Sequence, residues 1–479
     1  MPYKHGTYGE QVPYAGEVAQ AAIGTIPAYI GIAPIHQCVA FADYAKSVNK
    51  PILINNLSDA KAKIGYSDDW TNYTLGEVIK AHFDNGGTPI GPIVVINMIN
   101  PSTLELTDQT PTIALTGATA NKIGYISDAR AAIENVVITA TPSITSGDYT
   151  LSYVGDKIMI NITKAGFSAS TCTATYKRVD TATTPTAFET ALGKLDICEV
   201  STGVIPTVVA APKFSKDPTY HVKMITKANS KISGKWGFVC VSDIPTASNA
   251  DVASAITWKN TNGYTSKLDK VCFPKVSLTG IAFHLSTLAV VTMQQIDTAA
   301  EGVPYISPSN KAIYADSAIL DSAPIYIDEP TANSLNTVGI TSVNIVKGSL
   351  HLWGNNMANY LSTDATILPE NKQDASIRMM IYMQNFLQYN YMDEIDGPIA
   401  RRDIDSIIAS VQQWMNSLIS DGMLLYALVN FVAESNSTGE MVEGNFVFDI
   451  ATTTTPNAKS VTFKLQYSLA GLNSLTGGN

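Results

Sequence analysis

The sequence predicts a multidomain protein of mixed α/β and α+β class. It has an α/β core domain, an inserted β-sandwich or barrel-like domain, and a C-terminal helix–strand domain with extended terminal arms. Three observations carry this reading. Apolar runs at 26–33 and 92–97 flank a helical pattern at 75–83, the strand–helix–strand order of an α/β unit. From 102 to 195 the chain turns Thr-rich and breaks into short alternating runs. Beyond 375 two amphipathic helices lead into alternating strands. The expected divisions are 1–22 (arm), 23–101 (core), 102–195 (insertion), 196–345 (core, second part), 346–459 (C-terminal domain) and 460–479 (strand and tail).

Residues 1–22 hold Gly, Pro and Tyr with little apolar periodicity, so this arm has no core face of its own. The run at 26–33 reads as a strand stopped by Pro34. Leu75, Val78, Ile79 and Phe83 share one helix face, and Asn85-Gly86-Gly87 ends that helix. The unbroken apolar run at 92–97 marks a strand buried on both faces. In the insertion, strands are expected at 112–115, 136–140, 149–153, 157–162 and 172–178, parted by turns at Ser146-Gly147-Asp148 and Gly155-Asp156.

The α/β pattern resumes at 205–212. A helix follows, capped near Ser215 with Asp217 and Pro218 in its first turn, and ends at Ser233-Gly234. Its Lys216, Lys223, Lys227 and Lys231 lie opposite Ile225, Ala228 and Ile232. That row reads as an ordinary solvated face or as a basic stripe for a neighbouring copy. The strand at 236–241 ends near Asp243, read as a helix cap. Helices at 375–387 and 403–420 precede strands at 424–431, 446–450 and 460–469. In the last strand Val461, Phe463, Leu465 and Tyr467 alternate with polar residues. Arg401 and Arg402 stand just before the helix at 403, where cations oppose the helix dipole.

The 479 residues are enough for about two to four domains. Charged residues make up only 15% and the net charge is −10, which disfavours a general nucleic-acid binder. Charge is uneven: ten Lys and four Asp between 213 and 275, against six acids and one Lys between 295 and 340. These stretches either meet between copies or are two solvated faces. Five scattered Cys imply neither a disulfide framework nor a zinc site. The N-terminus lacks a signal-peptide layout, and no long apolar run marks a membrane span.

No nucleophile elbow, phosphate loop, dinucleotide turn or zinc-binding helix occurs. Asp68-Asp69, Asp393-Glu394 and Asp403/Asp405 fit loops and a helix start better than acid–base pairs. We therefore expect no catalytic residue, no metal and no cofactor. The segment at 302–354 is built of turn-formers and strand-formers: GVPYISPSNKAIY, an acidic spacer, then LNTVGITSVNIVKGSLHLWG.

That segment resembles the matching region of contractile tail sheath proteins from bacteriophages and phage-tail-like bacteriocins. The resemblance extends to Ala28-Tyr-Ile-Gly-Ile-Ala-Pro34, to 205–212, to Val271-Cys-Phe-Pro274 and to 397–469. Pro308-Ser-Asn-Lys311 and the Leu-Asn…Gly-Ile pair at 335–340 are its most specific pieces. One departure is Asn355-Asn356-Met357 after Trp353-Gly354, where family members often carry Arg-Thr.

The resemblance implies a structural subunit of a contractile sheath, stacked as hexameric rings around an inner tube and contracting to drive that tube through a cell envelope. Its implied partners are further copies of itself, the inner tail tube protein, and baseplate and tail terminator proteins, with no nucleic acid and no membrane insertion. The implied location is a virion tail or phage-tail-like particle assembled in the host bacterial cytoplasm. Strand exchange between subunits is expected through Glu17, Val18, Ala19 and Gln20 at one end and Val461, Phe463, Leu465 and Tyr467 at the other. Arg401, Arg402 and Asp405 are the expected tube-facing residues. The competing reading is a β-rich surface or capsid-like binding protein with the insertion as its adhesive module.

Overall fold

A computed structural model describes residues 24–117, 121–321, 323–469, 472 and 475. The chain divides into two compact units, Met1–Arg401 and Arg402–Asn479. The expected multidomain α/β and α+β class is borne out.

An eight-stranded sheet organises the first unit. Its strand order is Ser349–Trp353, Ile340–Val346, Asp269–Cys272, Val239–Asp243, Val208–Ala210, Pro27–Gly31, Ile93–Asn97 and Pro51–Ile54. The six inner strands run parallel and the two edge strands antiparallel. The inner strands are apolar on both faces because each face carries helices. Tyr29, Val95 and Val208 point into one core with the helices Leu75–Phe83 and Leu285–Ala299. Ala28, Ile30, Val94 and Val209 point into the other, with the helices Pro185–Gly193 and Pro218–Ser230.

The insertion is two small sheets over one core. Leu104–Gln109, Thr171–Val179, Thr112–Ala114 and Val137–Thr139 form one sheet, and Lys122–Ile126, Lys157–Ile162 and Tyr149–Val154 the other. Ile113, Ile138, Ile158, Ile160, Phe167 and Tyr176 fill the space between.

Several boundaries differ from the sequence reading. Helix Pro185–Gly193, assigned above to the insertion, sends Phe188, Ala191 and Leu192 into the core of the α/β body. Helix Asp374–Asn390, assigned to the C-terminal domain, lies within the first unit. It is fixed there by a buried Arg378–Asp297 pair and by two hydrogen bonds of 2.9 Å between the Asn385 amide and the Gly237 backbone. The cap of helix Pro218–Ser230 is Asp217, whose carboxylate accepts from Thr219 N, not Ser215. The basic row on that helix is largely engaged within the chain. Lys223 pairs with Glu189 at 2.5 Å and Lys227 with Asp196 at 2.7 Å. Lys275 and Asp321, from the basic and acidic stretches, also pair with each other.

Both edges of the large sheet are covered. The Pro308–Lys311 stretch runs along strand Ser349–Trp353: Asn310 N donates to Leu352 O (2.7 Å), Leu352 N to Lys311 O (2.9 Å) and Ile313 N to Leu350 O (2.9 Å). At the other edge Lys63 Nζ donates to Leu53 O at 2.7 Å, and helix Cys198–Thr202 lies alongside. Covered edges do not recruit foreign strands.

Buried titratable groups give the body a pH signature. Burial pushes the imidazoles of His36 and His82 from 6.5 down to about 4, so both are neutral in the fold. Unfolded, they protonate near 6.5; the stability they contribute above that value is lost as pH falls toward 4. Asp297 acts oppositely. Burial, opposed by Arg378, pushes its carboxyl up to about 6, so the fold holds a proton that the unfolded chain has released. Burial also raises the Asp243 carboxyl, which acts in the same sense as Asp297. Each histidine costs about 1.4 kcal/mol of stability per pH unit as pH falls between roughly 6 and 4.5, opposed by the two buried acids. Urea unfolding at several pH values measures this slope. His82→Gln should remove about 1.4 kcal/mol per pH unit of the loss on acidification, and a slope unchanged by the substitution would contradict the assignment.

Candidate assembly interface

In a doubly wound sheet a ligand sits at the carboxyl ends of the strands where the winding reverses. Here that point lies between Pro27–Gly31 and Val208–Ala210. It is packed shut. Ile32 N donates to Thr74 Oγ1 at 3.0 Å, and a Cβ on Gly31 would strike the Thr74 and Leu75 side chains. At the opposite ends of these strands a cavity of about 10 Å³, lined by Thr25, Thr207, Gly302 and Arg378, has room for at most one water.

The carboxylates near these strand ends serve a helix. Asp243 accepts from Ser286 N (3.0 Å) and Ser286 Oγ, and Glu77 accepts from His284 N (2.7 Å) and Thr287 Oγ1 (2.9 Å). Both lie at the positive N-terminus of Leu285–Ala299. The cap expected at Asp243 thus serves a helix distant in sequence. A crevice of about 420 Å³ opens at the seam between insertion and body, lined by Gln37, Tyr66, Asp68, Tyr153 and Asp156. The Asp156 carboxylate is used there, accepting from Gln37 Nε2 (3.2 Å) and Asp68 N (2.9 Å), which fastens the seam. Among the described residues no group of three His, Cys, Asp or Glu is placed to hold a metal, and no helix is long and apolar enough to cross a membrane.

The second unit carries different chemistry. Helix Arg401–Ser420 buries Ile404, Ile407, Val411, Met415 and Leu418 at helical spacing. Gly422, at φ +73°, turns the chain into an antiparallel ladder of Leu424–Asn430 with Asp449–Thr454. Leu424, Ala427 and Val429 are buried, whereas Leu425, Tyr426 and Leu428 are exposed. Asn436 ties the connection together, accepting from Val447 N (2.7 Å) and donating to Val432 O (3.0 Å) and Val447 O (2.8 Å). The second strand begins at Asp449 rather than at 446. Phe446 and Phe448 instead gather around Phe431, at ring separations of 6.5 and 5.3 Å.

Past Thr455 the chain leaves the ladder. The strand expected at 460–469 is not a strand: it has no ladder partner among the described residues. Val461, Phe463, Leu465 and Tyr467 are 69, 84, 99 and 79% exposed. The alternation is real, but among the described residues no strand pairs with 461–467. Glu17, Val18, Ala19 and Gln20 lie outside the described residues. Arg401, Arg402 and Asp405 are exposed at the start of the helix, which begins at Arg401, so both arginines stand within its first turn instead of before it. Arg402 Nε lies 3.1 Å from Asp403, which offsets the adverse dipole.

Sequence reasoning missed Gln412. Its Nε2 donates to Ala427 O at 3.1 Å and its Oε1 accepts from Val429 N at 3.0 Å. A half-buried Gln on an amphipathic helix gives no signal of this in the sequence.

No family model matches the chain. A tail sheath protein of Burkholderia phage BcepMu is 24% identical over 510 residues, spanning 100% of this chain and 99% of the relative. Among solved structures, the baseplate of the anti-feeding prophage contains a chain with TM-score 0.56 at 12% identity, over 98% of this chain and 100% of that one. The PVC sheath complex of an extracellular contractile injection system, in its contracted state, also gives TM-score 0.56 at 12% identity, over 98% and 99%. A sheath tail protein from Desulfitobacterium hafniense gives 0.51 at 13% identity, over 88% and 93%. The resemblance read from residues 302–354 thus extends along the whole chain, and the fold is shared with sheath subunits.

Proposed function

We propose that this chain is a structural, non-enzymatic subunit of a contractile tail sheath, in a phage tail or phage-tail-like particle. Copies stack as hexameric rings around an inner tube, between a baseplate and a tail terminator, after assembly in the host bacterial cytoplasm. The joint is strand addition: the terminal segments of one copy, through 17–20 at one end and 461–467 at the other, complete the ladder of another. The observation that carries this is the exposed alternating segment at 461–467, in the same unit as a ladder that has two strands among the described residues.

Two-stranded ladders gain stability from further strands, and an extended segment with strand alternation supplies one. Each added backbone hydrogen bond contributes about 0.5–1.5 kcal/mol net. Head-to-tail joints that do not close on themselves generate a helical polymer. Contraction is then rigid bodies repacking about flexible strand joints, with no nucleotide required. Arg401, Arg402 and Asp405 present a charged, exposed patch toward the tube. The relative's name and the contracted neighbour are consistent with this reading. Electron microscopy of the purified chain tests it: rings or tubes of uniform width are expected, and dispersed monomers at high concentration would contradict it.

A further inference from the structure

The Gln412 contact decides which side of the ladder is open. In a strand the N–H and C=O of one residue point to the same side, and successive residues alternate. Val429 N–H and Ala427 C=O both bond to the Gln412 amide, so the odd-numbered groups of this strand face away from its partner. Antiparallel register sets Val429 opposite Ile450 and Ala427 opposite Thr452. Those are therefore the non-hydrogen-bonded pairs, and the backbone groups of Ile450 and Thr452 also face outward, on the far side of the ladder. No described residue bonds to them. One edge is closed by a side-chain amide that imitates a neighbouring peptide group. At the other, Ile450 and Thr452 bond to no described residue outside the ladder.

We infer that Gln412 is a built-in placeholder: it keeps the Ala427–Val429 edge shut in the free subunit, so that the 461–467 segment of a second copy adds at the Ile450–Thr452 edge first. This rests on the strand-exchange reading and gives it a direction. The occupant is another copy of this chain, because the chain carries an exposed segment of strand-like alternation that pairs with nothing described in its own fold. Addition at the closed edge requires both Gln412 bonds to break, so that edge accepts a strand only after a competing partner has displaced the amide. The order protects against growth at two edges at once, which would branch or tangle the polymer.

Disulfide trapping between copies tests the order. Leu428 and Ala451 face each other across the ladder. A strand beside the open edge lies about 5 Å from Ala451 but about 10 Å from Leu428, and only the nearer thiol can bridge. In a Cys38→Ser background, whose remaining thiols are buried, Leu465→Cys protein is mixed with either Ala451→Cys or Leu428→Cys protein; Phe463→Cys and Tyr467→Cys donors cover the other registers, and Lys464→Cys and Gln466→Cys donors cover the opposite face of the added strand. A mixed disulfide can then form only between copies. Trapping at Ala451 and not at Leu428 is expected.

In Gln412→Met, which keeps side-chain volume but neither bond, trapping at both positions is expected, with onset of polymer growth about tenfold earlier. Trapping at Leu428 with Gln412 intact would overturn the inference while leaving strand exchange standing. Trapping at neither position, with any donor, would overturn both. If the Met variant fails to fold, the comparison with Gln412 intact still decides.

Discussion

Removal of residues 460–479 abolishes polymer formation and leaves a folded, soluble protein. The expectation follows from where the apolar surface lies. Val461, Phe463, Leu465 and Tyr467 are exposed in the single chain, so deleting them removes little from the fold. Its unfolding free energy should move by no more than about 0.5 kcal/mol. In the polymer the same side chains are covered. At about 1.5–3 kcal/mol for each buried side chain, four of them supply roughly 6–12 kcal/mol gross per joint, besides the backbone hydrogen bonds. Ordering the segment offsets part of this, but losing the whole term leaves no joint at micromolar concentrations. Truncation of 1–22 is expected to have the same outcome. Sedimentation and electron microscopy of each truncation, with a urea melt for stability, give the answer. Normal sheaths built from either truncation would exclude that end from the joint.

Asp374→Ala should destabilise the first unit by about 3–5 kcal/mol. Lys270 and Asp374 are fully buried, with Nζ 2.6 Å from the carboxylate. Lys270 Nζ also donates to Gly354 O at 2.9 Å, and Ser307 Oγ donates to Asp374 at 3.1 Å. One ion pair thus ties the Pro-Ser-Asn-Lys loop, the end of strand Ser349–Trp353 and the start of helix Asp374–Asn390. Losing the carboxylate strands an ammonium group in the core, and that penalty sets the size of the effect. The double change Lys270→Met with Asp374→Leu removes both charges and should recover most of the loss. Urea unfolding of both variants, made in the non-polymerising truncation, measures this. A single-variant cost below about 1 kcal/mol would contradict the role given to the pair.

That knot explains why residues 302–354 are so distinctive in sequence. Gly354 is in a left-handed conformation at φ +136°, where a Cβ would also strike Asn336. Ser309 Oγ accepts from Gly354 N at 3.0 Å. The segment's unusual residues close a sheet edge and bury a charge, and neither task belongs to a reaction.

Elements that bury a whole face were legible in the sequence. Helix Leu75–Phe83 and strand Ile93–Asn97 come out as expected because period and burial coincide. Short elements half in solvent that lack a clean period were not. Strand Leu104–Gln109 carries Glu105 and Asp108, and Pro51–Ile54 is four residues at an edge, so neither shows a clean period. The pattern at 446–450 was misplaced because its phenylalanines cluster with Phe431 before the ladder begins.

For the candidate interface, the alternation at 460–469 was visible, but the missing partner was not, since sequence patterning is the same whether a strand's neighbour lies in its own chain or another. Gln412 left no trace, because its role depends on an edge that exists only once helix and ladder are assembled.

A reconstruction of the assembled polymer at side-chain resolution tests the central claim most directly. It should show residues 461–467 of one copy hydrogen-bonded along the Ile450–Thr452 edge of another. A map in which that segment folds onto the ladder of its own chain, or in which the edge stays bare while copies meet elsewhere, would contradict it.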